Sequence, residues 1–429
     1  MHTLIIGAGL AGLTCARMLD RWKVGVTLVE ASDGVGGRVR SDYHAGYTFD
    51  RGFQVLFDAY PAARRQLDLA ALDLRPFDPG AIICVGGRRV ILTDPLRDAS
   101  PGDRLAAALA PAATIEDKLR TLQMALELKF QTIDELLQGR DTSSYVFLKG
   151  RGFSDRLIDL FFRPFYGGVL FDRELLTSAK CLKFDFKMLA DGGACLPAGG
   201  MGRIAEQLAA PLLERALVRL EAPASALIER DGRVAGARLS SGEELFADAV
   251  VLATPAPEAA RLSALPMPGG AKGTVTLYFA GDQPIYQAKK LLLNAAPDAF
   301  VNNAQLVSNV APSYAPPGKH LLSATVIGIP SMGDEELFRA ALRDLHGMLE
   351  GDITARAALA GYQPLRLYRI PYAQFDQPPG LHPRLPDNRS GRAGLYFASE
   401  FTEASSLNAA MISGEKCAAA IVEDNLGRA

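Results

Sequence analysis

Residues 4–30 read LIIGAGLAGLTCARMLDRWKVGVTLVE: an apolar run, three spaced glycines, a helical pattern, and a second apolar run closed by an acid. Thr3 to Ile6 predicts a strand, the pattern to about Arg21 a helix, and the run ending at Glu30 a second strand, a β-α-β unit in about thirty residues. Gly7, Gly9 and Gly12 stand between strand and helix, the context in which G-x-G-x-x-G reads as a dinucleotide fingerprint. Gly7 permits the tight turn, Gly9 lets backbone approach a pyrophosphate, and Gly12 allows close helix–strand packing. Ala8, Leu10 and Ala11 complete the loop, whose helix N-terminus offers free N–H groups to phosphate. Glu30, with Ala31 beside it, lies eighteen residues beyond Gly12. Its carboxylate can accept from ribose hydroxyls and would repel a 2′-phosphate, so NADP is disfavoured.

The next residues, Gly36-Gly37-Arg38, are not required by a nicotinamide-binding unit. Together with the loop and its acid they resemble the flavoprotein superfamily of amine oxidases, protoporphyrinogen oxidases and phytoene-type desaturases. Three further segments share the resemblance, and together the matches cover roughly a third of the chain at the family's spacings. FDRGFQVL (49–56) is similar to a flavin-side loop and implies Gly52, Phe53 and Gln54 near the cofactor. The segment 222–255 is similar to the middle nucleotide segment, with Ala224 at the adenine edge. GLYFASEFTEASSLNAAMISGEKCAAAI (394–421) is similar to the C-terminal flavin motif. The resemblance implies FAD, held without a covalent link, with Glu400 beside the ribityl-phosphate portion and Leu407 and Asn408 at the start of a helix aimed at the flavin. That helix, capped by Ser405 or Ser406, would stabilise charge at the N1–C2=O edge. Ser399 and Ala409 stand where the family has, or often has, glycine, which matters only where the backbone needs positive φ.

The fold class expected is α/β. A Rossmann-type FAD-binding domain is assembled from residues 1–80, 201–265 and 389–429. An α+β substrate domain with a mixed or antiparallel sheet is inserted as 81–200, mostly helical, and 266–388. IICVGGRRVIL (82–92) predicts a hairpin turning at Gly86-Gly87, and YTFDRGFQV (47–55) another. In 115–137, Leu119, Leu122, Leu126, Phe130 and Ile133 recur at helical spacing.

A chain of 429 residues, 48% hydrophobic with a formal net charge of -2, has material for two domains and no bulk attraction to nucleic acid. Five scattered cysteines without C-x-x-C point to free thiols in a reducing compartment, and exclude disulfide reductase chemistry. No cluster suggests a metal. The N-terminus runs straight into a strand pattern, with no signal-peptide character, and no stretch approaches a membrane span, so a cytoplasmic protein is expected. Peripheral membrane contact stays open for a lipid-soluble substrate, although no basic or strongly amphipathic segment demands it.

GGMGRI (199–204) lacks both the spacing and a preceding strand for a second dinucleotide site, so the flavin's electrons come from a substrate and pass to oxygen, a quinone or another acceptor. True amine oxidases of the family carry an aromatic where this chain has Ser406, one wall of an amine cage. SSLNAAMISG is closer to the carotenoid desaturase and isomerase branch, which implies a hydrophobic small-molecule substrate. Phe161, Phe162, Phe165, Tyr166 and Phe171 could line its tunnel or simply pack helices, and Arg366 and Arg369 fall in a segment expected to border the cavity. No acid–base residue is assigned, because the five histidines form no cluster and flavin dehydrogenation can run on positioning alone. The reading is an FAD-dependent oxidoreductase abstracting hydride, with desaturation of a polyene-like molecule ahead of oxidation of an unusual amine, and a non-catalytic flavin-binding protein as the third alternative. The oligomeric state is unassigned.

Overall fold

The computed structural model describes residues 1–94 and 97–425; positions 95–96 of the 81–200 segment and 426–429 of the last segment lie outside the described residues. A five-stranded parallel sheet organises the nucleotide end. Its strands, in spatial order, are Val218–Arg219, Gly25–Val29, His2–Ile6, Ala249–Leu252 and Leu395–Phe397. The strands come from the start, middle and end of the chain. Ala249–Leu252 is buried on both faces, as its unbroken apolar run demands.

Side chains alternate across this sheet. Ile5 and Val251 face a core built with Leu13 and Leu19, Leu208, and Met411 and Cys417 from the helices Leu10–Arg21, Gly202–Glu214 and Leu407–Asn425. Leu4, Ile6, Val250 and Leu252 face the antiparallel three-stranded sheet of Ala224–Arg230, Arg233–Leu239 and Glu244–Phe246. The last helix crosses Leu10–Arg21 at Gly414, where a Cβ would stand 2.4 Å from the Ala11 carbonyl oxygen. Only glycine permits that approach.

A seven-stranded mixed sheet stands beside it, in the order Gln363–Gln374, Lys272–Gly281, His320–Ile327, Asn303–Leu306, Leu291–Asn294, Ala81–Val85 and Arg88–Leu92. Its pairs are antiparallel except Leu291–Asn294 with Ala81–Val85. The 82–92 hairpin turns at Gly86 and Gly87, both at positive φ, as the dipeptide requires. The other expected hairpin is shifted: Ser41–His44 pairs with Tyr47–Asp50, and residues 51–55 run on as a loop.

Helices dominate 101–191. The single helix expected over 115–137 is two, Ile115–Phe130 and Ile133–Leu137, because Thr132 and Glu135 form a capping box. Four stripe residues, Leu119, Leu122, Leu126 and Phe130, are exposed rather than packed. The helix is held by Met124 and Leu128 from the opposite side.

Candidate functional site

The parallel strands end together at one edge, and there the chain leaves a cavity of about 670 Å³. Gly7, at φ +110, turns out of His2–Ile6 so closely that a Cβ would meet the Ala253 carbonyl oxygen at 2.6 Å. Gly9 caps the following helix with no side-chain partner, and the helix carries no acid in its first turn. A Cβ on Gly9 would meet nothing within 4 Å, so the loop backbone stands open to the cavity that Gly7, Gly9, Leu10 and Ala11 line. Gly12 lies behind the wall, its absent Cβ making room for the Gly7 carbonyl oxygen and the Ala253 side chain. Ala8 also faces inward. Its N–H donates to Glu30 Oε2 at 2.7 Å and its carbonyl accepts from Gly36 at 2.7 Å, so neither is offered to a ligand.

Glu30 therefore does two things at once. Oε1 accepts from the Ser32 amide and hydroxyl and Oε2 from Ala8, while the residue still lines the cavity beside Ala31. A carboxylate has about four acceptor positions, which leaves Oε2 room for one more donor.

Gly36 (φ +110) and Gly37 (φ +58) fold the second glycine cluster against the first, and Gly36 bridges Gly9 directly. Arg38, from the same turn, reaches the C-terminal motif. Its Nη1 donates to the Ala373 carbonyl at 2.8 Å, and its Nη2 lies 2.6 Å from Glu400 Oε1. Burial disfavours the Arg38 charge, but the Glu400 carboxylate outweighs it and holds the guanidinium above its ordinary pKa. Gly52, Phe53, Gln54, Ala224, Glu400 and Leu407 also line the cavity. Among the described residues buried Gln54 Oε1, Gln374 Oε1 and Thr254 Oγ1 have no hydrogen-bond partner, and all three residues line it. Open loop amides, unmatched acceptors and an acid at the second strand end together fit an extended polar ligand with a phosphate centre.

Ser406, not Ser405, caps the last helix, its hydroxyl accepting from the Ala409 amide at 3.0 Å. Ser399 sits at φ -150, extended backbone open to any residue, and Ala409 is inside the helix, so neither departure from glycine strains the site. Asn408 turns away from the main cavity; its Oδ1 accepts from the Ala62 amide at 3.0 Å.

Other expectations need correction. Of the aromatic group only Phe165 and Phe171 line the cavity; Phe162 and Tyr166 are buried in the helical core, and Phe161 stacks on Phe165 at 5.2 Å. Neither arginine lines the cavity: Arg366 shares a strand face with Tyr368 and Ile370 but lies further along it and reaches Asp42, Arg369 is on the opposite face and pairs with Asp334, while Ile370 and Gln374 of that strand line the cavity. GGMGRI does follow a strand, Ala194–Pro197, and opens a helix. Its amides are already taken: Met201 donates to Asp50 Oδ1 and Gly202 to Ser41 Oγ, each at 2.8 Å. That helix end is no second dinucleotide site.

Asp185 carried no sequence signal. It is 7% exposed and forms no hydrogen bond or ion pair among the described residues. It stands where the main cavity adjoins a smaller one of about 190 Å³, and burial pushes its carboxyl up to about 7. Thr254 could have been found, since it lies two residues past the end of a parallel strand, at the sheet edge where ligands bind.

A family model described as flavin containing amine oxidoreductase matches residues 10–422. The 15-cis-phytoene desaturase of Solanum lycopersicum is 24% identical over 471 residues, covering 99% of this chain and 78% of the relative. Among solved structures, a putative protoporphyrinogen oxidase from Exiguobacterium sp. 255-15 superposes with a TM-score of 0.71 at 19% identity, covering 99% of each chain. A wild-type putrescine oxidase bound to putrescine gives the same TM-score and identity, again over 99% of each chain.

Proposed function

The chain belongs to the flavin-containing amine oxidoreductase family, and from that premise we propose that it abstracts hydride from an apolar small molecule, with desaturation of a polyene-like hydrocarbon ahead of amine oxidation. It is an FAD-dependent oxidoreductase. Bound FAD supplies a two-electron acceptor for hydride.

The residues that would hold FAD are those of the cavity wall. Gly7, Gly9, Leu10 and Ala11 present loop backbone to the pyrophosphate, Glu30 and Ala31 meet a ribose, and Ala224 meets the adenine edge. Gly36, Gly37 and Arg38 flank the phosphates. Gly52, Phe53, Gln54, Glu400 and Leu407 take the ribityl and flavin portion. No cysteine among the described residues lines this cavity, which supports a non-covalent link. We assign residues 1–80, 201–265 and 389–429 to the FAD-binding domain, and 81–200 and 266–388 to the substrate domain. Free cysteines suit a reducing compartment such as the cytoplasm, and the electron acceptor is assigned as oxygen or a quinone.

One observation carries the substrate reading. Beyond the nucleotide loop the walls include Val55, Phe57, Phe165, Val169, Leu170 and Phe171, an apolar stretch suited to orienting a hydrocarbon by shape, with Asp185, Thr274 and Asn303 as polar interruptions. The relation to a phytoene desaturase along nearly the whole chain points the same way. Ser406 offers no aromatic wall and spends its hydroxyl on the helix cap. The amine reading keeps one specific support, the unpaired Asp185 carboxylate, which a protonated amine would neutralise. Incubation with a polyene precursor and a quinone should yield a product two hydrogens lighter that absorbs at longer wavelength. Ammonia release from an amine, with the polyene untouched, would overturn the reading in favour of the second.

A further inference from the structure

Two consecutive helices turn an apolar face outward. On Ile115–Phe130 the exposed residues are Ile115, Leu119, Leu122, Leu126 and Phe130, with Phe130 82% and Ile115 74% exposed. At 3.6 residues per turn these five fall within about 80° of arc, along a helix roughly 24 Å long. The preceding helix, Pro101–Leu109, exposes Leu105 and Leu109, and Lys118 Nζ ties the two helices by donating to the Ala108 carbonyl at 2.8 Å.

The outward face is fixed by the fold. Asp117, Met124 and Leu128 form the inward side, about half a turn from the stripe. Buried Asp117 accepts from Thr114 at the helix cap and from the Ser154 amide and hydroxyl at 2.9 and 2.6 Å. Rotating the helix to bury the stripe would break that network and leave a carboxylate unpartnered. The stripe that helical spacing marks over 115–130 is thus turned to solvent, which makes the segment amphipathic with its apolar side outward.

The charges around the face choose its occupant. Lys118 and Lys129 stand along one edge of the stripe with no acid between them, and Arg104 lies on the neighbouring helix. Among the described residues none of the three forms an ion pair; on the far edge Glu127 is paired with Arg151 at 2.5 Å and Glu116 is exposed, so the stripe has a basic border and an acidic one. Two copies meeting face to face with their helices antiparallel would bring unneutralised basic edges together. An anionic surface would not.

We propose that this face docks the protein on an anionic lipid bilayer, the stripe entering the headgroup–acyl boundary while Lys118, Lys129 and Arg104 meet lipid phosphates and carboxylates. The docking itself does not depend on the substrate. A second consequence rests on the apolar-substrate reading: just past Phe130, Ile133 and Leu137 line the smaller cavity, which shares Leu170, Asp185, Ser405 and Ser406 with the larger. A bilayer-dissolved substrate would enter there.

The test is flotation of the FAD-loaded protein with phosphatidylcholine vesicles, with and without phosphatidylserine. Wild type should float with the anionic vesicles and less with the neutral ones. Leu122→Glu and Phe130→Glu should each lower partitioning by about tenfold or more while keeping flavin content and melting temperature. Lys129→Glu should weaken only the phosphatidylserine-dependent part, which guards against a misfolded stripe variant. A wild type that stays at the bottom with both vesicles overturns the proposal, as do variants that float equally well. A dimer in light scattering that Phe130→Glu converts to monomer, with no flotation of either, would assign the face to a second copy instead. No substrate enters the assay, so failure of the desaturation reading leaves its outcome unchanged.

Discussion

Replacing Asp185 with asparagine should stabilise the protein, and by an amount that grows with pH. The carboxyl is buried and has no hydrogen-bond or ion-pair partner among the described residues, and desolvation raises it to about 7. An unfolded-state aspartate titrates near 3.9, so the rise is about three pH units, or about 4 kcal/mol at 1.36 kcal/mol per unit. Between those two values the folded state holds a proton that the unfolded state has released. Stability therefore falls as pH rises through that window, and the whole cost is present above about 7. Asparagine never ionises. Asp185→Asn should gain about 1.5 kcal/mol near pH 5 and up to about 4 kcal/mol near pH 8, less whatever cavity water recovers for the carboxylate. Urea midpoints of both proteins, loaded with saturating FAD, at these two pH values measure the difference. A loss of stability at both values, or a gain independent of pH, would refute the reasoning by showing that the carboxylate has a partner. The same pair of proteins separates the two substrate readings: a bound protonated amine should stabilise wild type at high pH and leave Asp185→Asn unchanged.

Other outcomes follow from the geometry. Gly414→Ala places a Cβ 2.4 Å from the Ala11 carbonyl oxygen and 2.8 Å from Thr14 Cβ, so the last helix must shift away from the nucleotide loop. It should cost about 1–3 kcal/mol in thermal or urea unfolding and lower the flavin content of the purified protein. Arg38→Ala strands the buried Glu400 carboxylate, and FAD affinity by fluorescence titration should fall at least about tenfold, with Arg38→Lys recovering only part because a single compact ammonium does not reproduce the two guanidinium nitrogens that meet Ala373 and Glu400.

What the sequence made legible was local. The strand, loop, helix and second strand of residues 2–29 lie within about two residues of where apolar period and glycine spacing put them, because each signal acts over a few neighbouring residues. The hairpin at Gly86-Gly87 was legible for the same reason. Periodicity at 115–130 named a face of a helix but not what it faces; buried Asp117 and its bond to Ser154, 37 residues away, decide that. Arg366 and Arg369 were misplaced because a strand through a cavity wall presents only some of its residues to it, and sequence position does not say which. Asp185 left no trace in the sequence. An isolated acid inside a helical pattern looks like any solvated charge until Leu170 and Phe375 are brought around the cavities it borders from elsewhere in the chain.

The most direct measurement is anaerobic reduction of the oxidised holoenzyme, followed at the flavin band near ~450 nm, with a polyene precursor in mixed micelles and a diamine offered separately. Bleaching by the polyene and none by the diamine is the result expected of an apolar-substrate oxidoreductase. Bleaching by the diamine alone would contradict it, and would make Asp185 the anchor of an amine site.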